Sequence, residues 1–162
     1  MTKISCIGAG NLGAAIAYEI ASRGIADEIV LVDILKDLAE GQAADIQQAF
    51  PFQNRTKVHS GDYPAIAHSD IIIITAGKPR TSDIKDRLQL VEINIKIVSS
   101  ILPEIKKYSP NAIIITLTNP MDIINHFIYN QRFAREKVIG SGGQLDSSRF
   151  RVALGWPEKH VE

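Results

Sequence analysis

The sequence predicts an α/β fold, a doubly wound parallel sheet of six strands, and three observations predict it. Short β-branched runs alternate with helix-period segments along the chain. The isoleucine runs are apolar at consecutive positions rather than alternate ones, as strands buried on both faces are. A glycine-rich turn, Gly8-Ala9-Gly10-Asn11-Leu12-Gly13, falls between the first strand and the first helix.

In chain order, Ile4-Ser5-Cys6-Ile7 opens the sheet. Leu12, Ile16 and Ile20, four apart, stripe the first helix. Ile29-Val30-Leu31-Val32 is the second strand. Leu35, Leu38, Gln42, Ile46 and Ala49 trace one face of the next helix, which Phe50-Pro51 ends. Lys57-Val58-His59 makes a short third strand and Ile71-Ile72-Ile73-Ile74 the fourth. Leu88, Val91, Ile95, Val98 and Leu102 give the stripe of a long helix, with Pro103 as a break or kink near its end. Leu90, Ile93 and Ile97 widen that stripe, which suggests cover by another domain or subunit. Ile113-Ile114-Ile115 is the fifth strand. Pro120 suits the first position of a helix over 121–129. Val138-Ile139 closes the sheet, and a last helix begins near Asp146. The pieces Cys6-Ile7-Gly8-Ala9-Gly10 and Ile74-Thr75-Ala76-Gly77 are faintly alike, as two pseudo-symmetric halves would be.

Composition bounds the function. The 162 residues are 45% apolar and 22% charged, enough for one globular domain. Eighteen basic residues balance eighteen acidic ones, which argues against a broad nucleic-acid or membrane-binding surface. The single cysteine, Cys6, excludes an internal disulfide and an all-cysteine metal site. It lies in an apolar run and reads as a buried structural thiol of a reducing, cytoplasmic protein. No apolar stretch approaches the ~20 residues of a membrane span, and the N-terminal run is too short for a secretory signal.

The glycine turn carries chemistry. Gly8 allows the tight turn, Gly10 lets a pyrophosphate approach the backbone, and Gly13 lets helix and strand pack closely. The free N–H groups at the helix start then face the phosphates. Asp33 ends the second strand, twenty residues after Gly13, where an acid meets the adenosine ribose diol and repels a 2′-phosphate. The turn and the acid together imply NAD rather than NADP.

From residue 4 to about 154 the chain resembles the N-terminal NAD-binding (Rossmann) domain of the lactate/malate dehydrogenases. Beyond the glycine turn, the resemblance rests on Thr75-Ala76-Gly77, on Asp86-Arg87-Leu88 through Asn94, and on Thr118-Asn119-Pro120-Met121-Asp122. It rests also on Val138-Ile139-Gly140-Ser141-Gly142 followed by Leu145-Asp146-Ser147-Ser148-Arg149-Phe150. It implies a dinucleotide-binding domain over 1–154 and, over 155–162, the start of a link to a catalytic domain absent from this chain. It adds Asn11, Leu12, Thr75, Ala76, Gly77, Asn94 and Asn119 to the cofactor site.

The resemblance also implies roles in reducing a 2-oxo acid. The Arg matching Arg149 grips the substrate carboxylate, which the guanidinium fork pairs with two oxygens at once. The Arg matching Arg87 rides on a closing loop and polarises the carbonyl. Asn119 positions the substrate, and Asp146 matches the carboxylate that orients and charges the catalytic His. That His lies in a Gly-Glu-His-Gly turn beyond this domain, and none of His59, His68, His126 and His160 matches it or has metal-ligand spacing. A homo-oligomer is implied, with no metal, no nucleic acid and no membrane partner.

The loop from Gly77 to Arg87 is one residue longer than the family's usual loop and lacks its Pro-Gly. Arg80, third after Gly77, stands where malate dehydrogenases place a second cation and lactate dehydrogenases a Gln. Malate is therefore slightly favoured over lactate, and the longer loop keeps a branched-chain 2-hydroxy acid open. A free-standing NAD-binding module without turnover is the alternative of another class. Arg87, Asn119, Asp146 and Arg149 speak against it, because a nucleotide sensor needs none of them.

Overall fold

The computed structural model describes residues 1–50, 55–79 and 87–155, with Arg87 and Leu88 described by their backbone only. The strands are β1 (Lys3–Ile7), β2 (Glu28–Val32), β3 (Lys57–Ser60), β4 (Ile71–Ile74), β5 (Ile113–Thr116) and β6 (Val138–Gly140). The helices are α1 (Asn11–Ser22), α2 (Lys36–Ala49), α3 (Arg87–Tyr108), α4 (Met121–Asn130) and α5 (Gly143–Leu154), with 3₁₀ turns at Tyr63–Ile66 and Arg135–Lys137. All strand pairs are parallel and the spatial order is β3-β2-β1-β4-β5-β6. The chain thus winds outward from β1 in one direction and from β4 in the other. The crevice where the winding reverses, at the carboxyl ends of β1 and β4, is where such sheets take ligands.

The consecutive isoleucines of β4 divide between two cores because a strand sends successive side chains to opposite faces. Ile73 packs with Cys6, Ile29 and Leu31 under α1 and α2. Ile72 and Ile74 pack with Ile7, Val30 and Ile114 under α3 and α4.

The helix faces depart from the sequence expectation in an instructive way. On α1 the buried face is Gly13, Ala14, Ala17, Ile20 and Ala21, while Leu12 is half exposed. On α2 it is Ala39, Ala43 and Ile46, with Leu35 and Leu38 exposed. Small side chains bring these helices close to the sheet, so Leu12, Leu35 and Leu38 fall off the buried faces while Ile20 and Ile46 stay on them. Leu35 precedes the first helical residue and does not share the helix period at all. On α3 the buried line runs through Leu90, Asn94, Val98, Ile101 and Ile105, so Leu90 is on the stripe and Val91 and Ile95 are its flanks.

Three boundaries also differ. α3 runs through Pro103 to Tyr108. The carbonyl that Pro103 cannot serve belongs to Ser99, which is exposed to solvent. Pro120 is not the first helical residue: its φ of −73° and ψ of 113° are extended, and α4 starts one residue later. α5 starts at Gly143, three residues before Asp146, and ends on Gly155, whose φ of 63° is a left-handed cap. Of the segment 155–162, residues 156–162 lie outside the described residues.

Candidate functional site

The first turn is built on two glycines for two different reasons. Gly8 has φ 108°, a region closed to L side chains, and a Cβ there would press on the Ala76 backbone. Its N–H donates to the Val32 carbonyl at 2.8 Å, which ties the turn to the end of β2. A Cβ on Gly13 would overlap the Gly8 carbonyl oxygen, so α1 lies against the turn only because Gly13 is bare. Gly10 is the opposite case: a Cβ there meets nothing within 4 Å. The fold does not require that glycine, and the space above it is open to a ligand. α1 begins beside it with no side-chain cap and no acidic residue in its first turn, which leaves its positive end to an anion.

Asp33 closes the other side of the turn. One carboxylate oxygen accepts the Ala9 N–H at 2.7 Å and the other the Leu35 N–H at 2.9 Å. The two bonds fix the carboxylate between the glycine turn and the start of α2. A carboxylate offers about four acceptor sites, so roughly two remain for a ribose diol.

The ends of β1, β4 and β5 are braced by hydroxyls and one amide. The Thr75 hydroxyl donates to the Gly8 carbonyl at 2.8 Å, and the Thr118 hydroxyl donates to the Ala76 carbonyl at 2.8 Å. Asn94, buried on α3, accepts the Lys78 N–H at 2.7 Å and donates to the Asn119 carbonyl at 2.6 Å. Its amide is thus fully engaged with the chain's own backbone, and it acts by holding two loops. A Cβ on Gly77 would strike the Thr118 methyl and crowd the Asn94 side chain, so the strand end closes down on both.

These groups surround a cavity of about 610 Å³. Of the residues singled out in the sequence, Gly8, Gly10, Asp33, Thr75, Ala76 and Gly77 line it. Asn11, Leu12, Gly13, Asn94 and Asn119 do not. Asn11 and Leu12 are exposed on the first turn of α1. Sequence reasoning missed the apolar wall of Ile34, Ile97 and Ile101, together with Tyr63, Lys36 and Asp62. The off-stripe position of Ile97 was the one available signal. Burial, with the charges of Glu104 and Asp33, raises the Tyr63 phenol above its ordinary value, so it stays protonated.

Of the substrate-side residues, Asn119, Asp146 and Arg149 lie at the same sheet edge but do not line the cavity. Asn119 follows β5, and Asp146 and Arg149 lie on α5, just after β6. Arg149 Nη1 donates to Asp146 Oδ1 at 3.3 Å across one helical turn, with both side chains exposed. Arg87 is the first residue of α3, and Arg80 lies outside the described residues. The glycines of Gly140-Ser141-Gly142 have a packing reason: a Cβ on either Gly140 or Gly142 would meet the Met121 side chain.

The remaining candidates are structural. Cys6 is fully buried, and burial pushes its thiol up to about 12, far from a nucleophile's range. His59 Nε2 lies 2.8 Å from Glu28 Oε1 at the edge of the sheet, and His126 pairs with Asn130 on α4. Among the described residues no group of three His, Cys, Asp or Glu could hold a metal, and no helix is long and apolar enough to cross a membrane.

Comparison with known proteins places this geometry. The chain is 46% identical over 154 residues to L-lactate dehydrogenase 1 of Clostridium acetobutylicum, covering 94% of this chain and 49% of that protein. Its fold matches the malate dehydrogenase of Picrophilus torridus with a TM-score of 0.89 at 38% identity, over 95% of this chain and 50% of the other. It matches the lactate dehydrogenase of Cryptosporidium parvum, solved with lactic acid and nicotinamide adenine dinucleotide, with a TM-score of 0.88 at 37% identity, over 95% and 49%. The chain therefore spans about half the length of the relatives it matches. The family model described as lactate/malate dehydrogenase, NAD binding domain, covers residues 2–140. With the glycine turn, Asp33 and the switch-point cavity in place, the chain belongs to the lactate/malate dehydrogenase family and carries its NAD-binding domain.

Proposed function

We propose that this chain is the cofactor half of an oxidoreductase that moves a hydride between NAD and a small L-2-hydroxy acid. The observation that carries the reading is the cavity at the β1–β4 switch point, with Asp33 on one wall and open space over Gly10. These residues fit a dinucleotide. The glycine turn and the uncapped start of α1 would hold the pyrophosphate, and Asp33 the adenosine ribose. A dinucleotide held there would supply the hydride chemistry through its nicotinamide. Asn94 holds the loops of Lys78 and Asn119 in place.

On the substrate side, Arg149 takes the carboxylate, Arg87 polarises the carbonyl oxygen and Asn119 positions the substrate. The Asp146–Arg149 pair is exposed and worth at most ~1 kcal/mol. A substrate carboxylate or a partner imidazole displaces it at little cost. Asp146 then orients a His supplied by the half of the relatives' length that this chain does not span. The enzyme works in the cytoplasm as a homo-oligomer, a reading supported by the one buried, unreactive cysteine and by the exposed apolar residues of α5.

Arg80 favours a dicarboxylate, malate or oxaloacetate, because a second cation meets the second carboxylate. The names of the curated relatives favour lactate instead. The test is the Arg80→Gln variant of the full-length protein, assayed with oxaloacetate and pyruvate. The dicarboxylate reading predicts a loss on the order of 10²–10³ in relative rate for oxaloacetate only. Parallel changes on both substrates would leave the lactate reading.

A further inference from the structure

Beside Asp33 the cavity wall carries a second pair of charges. Lys36, the first residue of α2, holds Asp62, from the loop after β3, at 2.7 Å to one carboxylate oxygen and 2.9 Å to the other. Both side chains line the same cavity as Asp33. The pair is about two-thirds exposed, so it contributes little to stability. A lysine on the first turn of a helix is also opposed by the helix dipole. The wall has everything a 2′-phosphate would want: the positive end of α2, the Leu35 N–H and a lysine. Asp33 accepts the N–H and Asp62 holds the lysine.

We propose that Asp62 is a second determinant of cofactor choice, acting by holding Lys36 away from the adenosine 2′ position, so that a 2′-phosphate meets two carboxylates and no free cation on this wall. The proposal rests on the NAD reading of the cavity and goes beyond it, since that reading gives discrimination to Asp33 alone. Charge bookkeeping over Asp33, Lys36 and Asp62 makes it sharp. The net charge is −1 as found, 0 in Asp62→Asn, −2 in Lys36→Gln, and −1 again in the double variant. Among the described residues the Asp62 side chain bonds only to Lys36, and the 3₁₀ turn after it is held through the Asp62 backbone carbonyl. Asp62→Asn is thus a mild change for the fold.

The experiment titrates the protein and the three variants with NADH and with NADPH, by calorimetry at low and high salt. Asp62→Asn should raise NADPH affinity about tenfold at low salt, the effect of roughly one unit charge a few ångström from a phosphate, and less at high salt. The readout is the ratio of NADPH to NADH affinity, because a charge removed from the cavity wall acts on the pyrophosphate of both cofactors and on the 2′-phosphate of NADPH alone. Lys36→Gln should lower NADPH affinity further, and the double variant should return to the unmutated ratio. An NADPH gain that survives in the double variant, or an unchanged ratio in Asp62→Asn, overturns the proposal while the NAD reading stands. Failure of the unmutated protein to bind NADH overturns both.

Discussion

Asn94 Nδ2 donates to the main-chain oxygen of Asn119 at 2.6 Å, joining the long helix α3 to the loop that leaves β5. Through its other end the same amide accepts the Lys78 N–H. One buried side chain thus sets the spacing between the loop after β4 and the Asn119 loop. Asn94→Ala leaves that N–H and that carbonyl without their partner. It should cost about 2 kcal/mol, a drop of several degrees in melting temperature for a domain of this size. Cofactor affinity should fall as well. Thermal denaturation with and without NADH checks both.

Gly10 and Gly13 should fail differently on substitution. Gly13→Ala forces a methyl into the Gly8 carbonyl and should cost several kcal/mol of stability. Gly10→Ala meets nothing in the chain. It should melt at the unmutated temperature or slightly above, because alanine stiffens the unfolded chain. It should nevertheless bind NADH at least tenfold more weakly, since the methyl occupies the space left for the pyrophosphate. Paired melting and binding curves separate the two.

Stability should also depend on pH through one sheet-edge carboxylate. Burial alone would raise Glu28, but hydrogen bonds from His59 and Lys3 outweigh it and hold the group below its ordinary 4.5. A carboxylate lowered in the folded state stabilises fully above its unfolded pKa. That contribution disappears as pH falls through the lower, folded value. Glu28→Gln should therefore be less stable near pH 7, and the difference should shrink as pH falls through the lowered value of Glu28. Urea denaturation from pH 7 to 3 tests the sign.

The fold was legible because its signals are local. The isoleucine runs, the glycine turn and the spacing to Asp33 each depend on a few neighbouring residues. The helix faces were less legible. In α1 and α2 the packing is done by Ala17, Ala39 and Ala43, whose small size lets the helices approach but gives weak hydrophobic periodicity. The cavity divided the same way. Gly8, Gly10 and Asp33 announced themselves by spacing, whereas Lys36 and Asp62 meet across 26 residues and only the sheet order brings them together. Asn94 was singled out for the cofactor by resemblance, and its hold on two backbone loops had no signature in sequence.

The central claim is that Asp33 at the switch-point cavity makes this an NAD site. Its most direct measurement is the ratio of NADPH to NADH dissociation constants for the unmutated protein and for Asp33→Ala. The variant also loses the bonds to Ala9 and Leu35, so both affinities will fall, and the ratio is the informative quantity. The unmutated protein should bind NADH at least tenfold more tightly, the effect of about one unit charge near a 2′-phosphate, and Asp33→Ala should narrow that gap severalfold. Equal affinity of the unmutated protein for both cofactors, or a ratio that Asp33→Ala leaves unchanged, would contradict the account.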